Sequence, residues 1–417
     1  MAPNIAIIGA GPGGCMLARL LYVRNIPCTV YEGETSLDVR SQGGTLDLRA
    51  KTGLAAMKEA GLWEDFQKYA RYDGESLLIT DKFLTTWLRR APGSPSQKRK
   101  IGTAPEIDRS DLRNLLLKSI PDECIRWGMK LVTVQETHKG CELHFANGNV
   151  EGGHDLIVGC DGAFSKTRAY LTSEQPFYTG LGGWTIQIPD ADVNAPAVYD
   201  FVNRGSVFAY SDGKSMSIQQ LSSGNIWVAT YRPQVEEHPS RLDLKLGDLA
   251  AAKQDLLISY QDWDPALQEA IVQAQGEAVW RSLYMLPVGF TWPHRQGVTL
   301  LGDAAHLMTP FAGIGVNTAF HDALLLSRRI VESTKSTEHH VLDDHIFAYE
   351  KEMFTHAHEA QEMTYGSMKD MLLTEGAPRT TIESWTLRHA KSDMPVWAHP
   401  ILTVLVNALF WVYKWFV

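Results

Sequence analysis

The stretch that most narrows the fold is the amino-terminal run from Ile5 to Glu32. Ile5, Ala6, Ile7 and Ile8 read as a buried strand. Gly9, Gly11 and Gly14 follow in G-A-G-P-G-G, and then a helix through Leu17, Leu20 and Leu21. A second apolar run, Cys28 to Tyr31, ends at Glu32, close to the offset of about 20 residues that a dinucleotide fold requires. Each part has a physical job. One glycine makes the tight turn, one lets backbone approach a pyrophosphate, and one packs helix on strand. The helix N-terminus holds the anion and the carboxylate accepts from a ribose hydroxyl. A lone glycine triplet would say little, but strand, helix, second strand and acid together predict a dinucleotide site. Glu32 also disfavours a 2′-phosphate there, because like charges repel. FAD and NAD remain.

Far downstream stands Gly302 to Asn317, G-D-A-A-H-L-M-T-P-F-A-G-I-G-V-N. The apolar run Val298 to Leu301 before it reads as a short strand, and Phe320, Ala323, Leu324, Ser327 and Val331 after it are spaced for one helix face. Asp303 is thus placed at the carboxyl end of a strand, where open α/β sheets bind ligands. Pro310 stiffens the elbow, and Gly313 and Gly315 allow close approach of another molecule. Asn317 is expected to cap the helix. A nicotinamide dehydrogenase completes its nucleotide site within one contiguous domain. A chain that leaves and returns to hold something longer points to FAD.

Four stretches carry a family resemblance: G-A-G-P-G-G at Gly9, G-G-T-L-D-L at Gly43, P-E-I-D-R-S-D-L-R at Pro105, and G-D-A-A-H at Gly302 with its P-F-A-G continuation. On these the chain resembles the FAD-dependent monooxygenases of the para-hydroxybenzoate hydroxylase type, and within them it looks most like the tetracycline-inactivating flavin monooxygenases. The resemblance runs from Asn4 to the neighbourhood of Met371. It implies an α/β fold, with a Rossmann-like FAD-binding domain, a β-sheet substrate domain and a long C-terminal helix. The expected division is 1–75, 101–175 and 287–336 for the FAD domain, 76–100 and 176–286 for the substrate sheet, 337–377 for a bridging helix, and 378–417 for a hydrophobic tail.

The resemblance also implies roles. Asp47 becomes a flavin contact, and Arg40 either a contact for the nicotinamide cofactor or a surface arginine. Arg109 is placed against the flavin's ribityl arm or ring edge, whereas Arg113 serves structure. The D-G-x-x-S-x-x-R element from Asp161 to Arg168 lies near the pyrophosphate, unless it is only a strand-ending turn. The implied activity is that of an NAD(P)H-consuming monooxygenase, with NADPH or NADH as transient reductant and O₂ as co-substrate. The substrate is an aromatic or polycyclic organic molecule, hydroxylated or epoxidised, as in secondary metabolism. A flavin oxidase or dehydrogenase on the same fold is the alternative. Polar groups that grip tetracycline in the resembling enzymes fall here on Thr185, Ser206 and Trp227, so tetracycline itself is not expected. No acid or base residue follows from the sequence.

Composition sets outer limits. The chain has 417 residues, 44% hydrophobic, enough for two domains. A net charge of −9 invites no nucleic acid. Five scattered cysteines without a paired spacing read as reduced thiols of a cytoplasmic protein, and a strand starting at Ile5 leaves no room for a signal peptide. Lys51 to Tyr69 reads as one amphipathic helix, Ile107 to Leu117 as another, and Leu342 to about Leu373 as a long one whose His356, His358 and Asp343-Asp344-His345 are solvated faces. Residues 89–100 read as a basic, solvated loop. The tail from Pro395 to Val417 is apolar, with Trp, Tyr and Lys crowded at its end. Two readings fit it: a strap packed on the enzyme, or a monotopic anchor holding a cytosolic body at a membrane.

Overall fold

The computed structural model describes residues 2–36, 43–91, 104–138, 140–236, 247–335, 341–392 and 394–417. Arg40 and most of the 89–100 segment lie outside them.

The α/β architecture expected from the sequence is observed. β1 (Ile5–Ile8), β11 (Leu156–Gly159) and β17 (Val298–Leu300) are buried along their whole length, which unbroken apolar runs achieve only where both sheet faces are covered. With β2 (Cys28–Tyr31) and β7 (Ile125–Arg126) they form a parallel sheet in the order β17-β11-β1-β2-β7. Each isoleucine buried in β1 contributes about 1.5–3 kcal/mol. The chain steps from β1 one way to β2 and later returns on β1's other side. The strand order therefore reverses at β1, and the crevice opens over the carboxyl ends of β1, β11 and β17.

α1 (Pro12–Tyr22) starts with proline in its first turn, where no amide donor is needed, and packs on α7 (Gly315–Ser333). A Cβ on Gly13 would stand 2.8 Å from a Leu301 methyl and 3.4 Å from the Ala319 Cβ of α7, so glycine lets the two helices approach without moving either.

The expected helix from Lys51 to Tyr69 is two helices, α2 (Gly53–Glu59) and α3 (Trp63–Gln67). Gly61 at φ +69° ends the first, a left-handed conformation that amphipathic periodicity does not register. The expected Ile107 helix starts later. Glu106–Asp108 pairs as β6 with β3 (Thr45–Asp47), and α4 (Arg109–Lys118) follows.

β4 (Leu77–Thr80) and β5 (Thr86–Arg90) leave this body and join a seven-stranded sheet. Its order is β16-β12-β15-β14-β13-β4-β5, with β12 (Phe177–Ile188), β13 (Ser206–Ser211), β14 (Lys214–Gln220), β15 (Ile226–Pro233) and β16 (Gln275–Met285). Short helices between 191 and 272 cover one face around Trp184, Tyr260 and Trp263. A three-stranded antiparallel sheet, β8 (Leu131–Thr137), β9 (Gly140–Phe145) and β10 (Val150–Glu151), leads into β11.

The long helix is α8 (Val341–Met368), continued by a wide turn at Lys369–Leu373. α9 (Ile382–Ser392) and α10 (His399–Tyr413) close the chain.

Asn317 does not cap its own helix. It sits inside α7, 2% exposed, and its side-chain oxygen accepts from the Arg49 amide (2.7 Å), the Thr52 hydroxyl (3.1 Å) and the Gly53 amide (3.3 Å). Its amide nitrogen donates to the Asp47 carbonyl at 2.7 Å. The capped helix is α2, more than two hundred residues earlier, which local sequence rules do not see. Asn317→Ala strands three donors, so we expect a loss of about 1–3 kcal/mol. Urea denaturation reads it, and an unchanged midpoint would remove Asn317 from the account of α2.

Candidate functional site

The loops that the sequence singles out separately meet at one edge of the parallel sheet. Gly9–Gly14 follows β1, Glu32 ends β2, Cys160–Ser165 follows β11, and Gly302–Asp303 follows β17. The glycines divide into two kinds. A Cβ on Gly9, at φ +105°, would meet the Cys160 carbonyl at 2.5 Å, and one on Gly14 the Gly9 carbonyl at 2.1 Å. Those two are required by packing between loops. Gly11 and Gly315 have nothing within 4 Å of the position a Cβ would take. They leave space over the α1 N-terminus and the α7 N-terminus, as a cradle for a large dinucleotide needs.

Glu32 lies at the rim of this cradle. Its carboxylate accepts from the Ala10 amide (2.6 Å) and the Glu34 amide (2.9 Å), which fixes the rotamer and leaves lone pairs for a sugar hydroxyl. Arg113 pairs with Glu34 at 2.5 Å, and thus props the rim, as expected of a structural arginine. Cys15, beneath the loop, is no nucleophile, since burial and then Glu32 push its thiol up to about 12. The five cysteines are unpaired.

Asp303 begins α6 (Asp303–His306). It opens onto the cleft, so water reaches it, but protein surrounds its other sides. That burial raises its carboxyl pKa, while His306, Arg109 and Arg168 pull the other way. Arg109 is the counterpart across the cleft. It too is open to water yet deep, and burial lowers its pKa against the pull of Asp303 and Tyr231. The two charges come from elements far apart in sequence and lie within electrostatic reach of each other.

Behind Asp303 stands a charged cluster. Asp322 is 0% exposed and accepts from the Gly302 amide (2.9 Å), His306 Nε2 (2.6 Å) and His356 Nε2 (2.8 Å). Burial alone would raise Asp322, but the two imidazoles hold it well below the carboxylate range. Burial would lower His306, and Asp322 overrides this and raises it. His356 is therefore not on a solvated face. It points inward from α8, with His321 4.5 Å away ring to ring. His358 is exposed, as expected.

Asp47 faces Gly313, at φ +65°, where a Cβ would be 3.5 Å from its carboxylate, so β3 meets the P-F-A-G elbow. Burial raises the Asp47 carboxyl against the pull of Arg49. Gly43 and Gly44 are close to protein: their Cβ positions are 2.4 Å from the Arg109 Cδ and 2.4 Å from the Gln219 side-chain oxygen. The paired glycines make room for Arg109 and for the substrate-side sheet.

Asp161 is engaged within its own loop. Its carboxylate accepts from the Ser165 hydroxyl (2.5 Å) and the amides of Lys166 (2.7 Å) and Thr167 (3.1 Å), at the start of α5 (Lys166–Leu171). Arg168, fully buried, donates to the carbonyls of Ala163 (2.6 Å) and Ala304 (2.9 Å). It ties the loop after β11 to the loop after β17.

Opposite these loops the seven-stranded sheet supplies residues that sequence patterns had not marked. Tyr231 on β15 feels both Arg281 and Arg109, but burial dominates and raises its phenol, which stays a donor at neutral pH. The Phe311 ring of the elbow stands edge-on to Tyr231, centroids 5.9 Å apart. The Thr185 hydroxyl donates to the Val279 carbonyl (3.1 Å), and the Ser206 hydroxyl accepts from Gln219 (3.2 Å), so both are held within the sheet. A strand alternation cannot say which inward residues face a ligand, and only the docking of sheet on cradle selects Tyr231 and Arg281.

Known proteins agree with this geometry. A family profile described as an FAD binding domain matches residues 3–363. Monooxygenase asqM of Emericella nidulans is 30% identical over 426 residues, covering 88% of this chain and 94% of that protein. The 6-hydroxynicotinate 3-monooxygenase of Pseudomonas fluorescens is 27% identical over 342 residues, covering 79% and 83%. The tetracycline destructase Tet(55) shares the fold, with a TM-score of 0.67 at 19% identity over 89% of this chain and 90% of that one. With its glycine cradle, its Asp303 elbow and a matched FAD domain over most of its length, the chain belongs to the FAD-dependent monooxygenases.

Proposed function

We propose that this monooxygenase consumes NAD(P)H and inserts one oxygen atom of O₂ into an aromatic or polycyclic small molecule of secondary metabolism. Bound FAD would supply the redox chemistry, taking electrons from the nicotinamide and activating O₂. The residues of the chain bind, orient and shield. Glu32 and Asp303 accept from hydroxyls of the cofactor, Gly11 and Gly315 admit its backbone-hugging parts, and the α1 N-terminus receives the pyrophosphate. Asp47 and Pro310 with Gly313 shape the elbow beside it, while Asp161 keeps the adjoining loop in register. Arg109 offers a fixed cation to an electron-rich ring. Arg40 is assigned to the transient nicotinamide. Tyr231 donates a hydrogen bond to substrate, and Phe311 excludes water.

The observation that carries this reading is the meeting of the P-F-A-G elbow and the Gly43–Gly44 segment with the seven-stranded sheet: the Phe311 ring is 5.9 Å from Tyr231, and Gly43 and Gly44 press on Arg109 and Gln219. Cofactor-side and substrate-side elements thus converge. Membrane association through residues 395–417, with the catalytic body in the cytoplasm, belongs to the same proposal. The purified protein should be yellow, and its NADPH or NADH oxidation should rise with one apolar aromatic compound from a metabolite panel, giving a product heavier by one oxygen. Turnover of that compound without nicotinamide consumption would identify an oxidase or dehydrogenase instead.

A further inference from the structure

Apart from His399, Thr403 and Asn407, α10 is apolar around its circumference, and protein covers one side of it. Leu402, Val406, Phe410 and Tyr413, spaced for one helix face, pack against Trp87 and Ile79 of the seven-stranded sheet and against Ile382 of α9. Tyr413 donates to the Thr86 carbonyl, and Lys414 pairs with Glu383 at 2.6 Å. Arg379 donates to the carbonyls of Lys414 (2.8 Å) and Val417 (2.7 Å), satisfying the helix end. The helix is therefore fastened along its length. The other face is bare: Ile401, Val404, Leu405, Leu409, Val412 and Phe416 are all exposed. From Val396 to Tyr413 the mean hydropathy is 1.5, and only 17% of these residues are buried.

We propose that the bare face of α10 docks on an anionic lipid surface, with the helix lying in the plane of the interface and the catalytic body seated above it. This rests on the membrane association put forward above and names its geometry and its lipid. Three observations favour lipid as the occupant. Trp397 stands at one end and Trp411 and Trp415 at the other, amphipathic rings suited to the headgroup boundary. In a chain of net charge −9 two cations stand at the helix end: Arg379, exposed, which donates to its last carbonyls and lies 5.9 Å over the Trp87 ring, and Lys414, beside Glu383. Finally, the helical stretch Val396–Tyr413 has the length and composition to cross a bilayer, but its packing holds it on the body. Its covered face packs on Ile79 and Trp87 of the seven-stranded sheet and on Ile382 of α9, and a spanning pose would carry those elements and their polar groups into the hydrocarbon.

The test is flotation of the full-length holoprotein with vesicles of phosphatidylcholine, with and without phosphatidylserine, read by protein content so that no turnover is needed. The protein should float with both and more with phosphatidylserine, and high salt should remove that difference. Leu405→Glu with Leu409→Glu should lower vesicle partition by roughly tenfold or more, with flavin content and thermal midpoint unchanged, because both side chains are exposed. Lipids brominated near the headgroup should quench tryptophan emission more than lipids brominated at the chain ends. A full-length chain that floats with neither vesicle overturns both the docking and the membrane reading. Unchanged flotation of the double variant, or stronger quenching from the bilayer centre, overturns the in-plane face alone. A dimer that the double variant dissociates, without flotation, assigns the face to a second copy and overturns the lipid.

Discussion

Asp303→Ala is expected to purify with little flavin and to bind added FAD at least about tenfold more weakly. Removing an acceptor from cofactor hydroxyls leaves donors unpaired at a cost of about 1–3 kcal/mol. The structure adds a second reason for a large effect. Asp303 is the carboxylate whose charge acts most on Arg109, so its loss leaves that guanidinium without this counter-charge. Glu32→Ala should weaken binding in the same direction, but less. Glu32 is on the rim, and its carboxylate also holds the Ala10 amide, so part of its effect is on loop shape. Flavin absorbance per protein after dilution and dialysis measures both. Full occupancy in Asp303→Ala would remove it from the cofactor site.

Asp322→Ala should be the most destabilising single change outside the apolar core. It abandons His306 and His356 to each other in a buried place and unbonds the Gly302 amide. Breaking a buried charged cluster by removing one partner costs about 3–5 kcal/mol. The pH dependence has a definite sign. Asp322 is depressed when folded, so its contribution is present above the unfolded value of about 3.9 and lost as pH falls through the lower folded one. His306 is raised when folded, so its contribution is complete below about 6.5 and lost as pH rises through the higher folded value. Wild-type stability from this cluster should therefore be greatest between those limits and decline towards pH 9, while Asp322→Ala lacks the decline. Urea midpoints for both proteins at pH 6 and pH 9 measure it. Parallel shifts in the two proteins would mean that the cluster does not titrate as a unit.

Several local errors of sequence reading share one cause. Asn317 has the composition of a cap and stands near a helix start, yet it caps α2 from within α7. His356 lies on a long polar helix and reads as solvated, but the helix turns that one residue to Asp322. Gly43 and Gly44 belong to a motif stretch whose nearest neighbours, Arg109 and Gln219, no local pattern names. In each case the residue type signals a constraint correctly, and its partner comes from another element. Tyr231 and Arg281 gave no signal at all, because alternation along a strand says which residues share a face but not what that face meets.

What the sequence by itself determined is the local chemistry that short-range physics enforces. The buried strands at Ile5 and Val298 follow from unbroken apolar runs. Gly9 and Gly14 follow from turns that admit no Cβ, and the acid at Glu32 from a strand ending at a dinucleotide's distance. From these the fold class and a dinucleotide site could be read, and the four motif stretches added the resemblance to the FAD-dependent monooxygenases. Only the tertiary structure decided which loops are neighbours. Parallel strands pair through backbone groups that are the same for every residue, so no spacing in the sequence announces that β11 and β17 stand side by side next to β1. That order brings Arg168 to Ala304, Asp303 into reach of Arg109, and the buried Asp322 beneath both. The tail shows the same limit. Its apolar composition is plain in the sequence, but that Val406 and Phe410 are buried against the enzyme while Leu405 and Leu409 are exposed depends on where the helix lands.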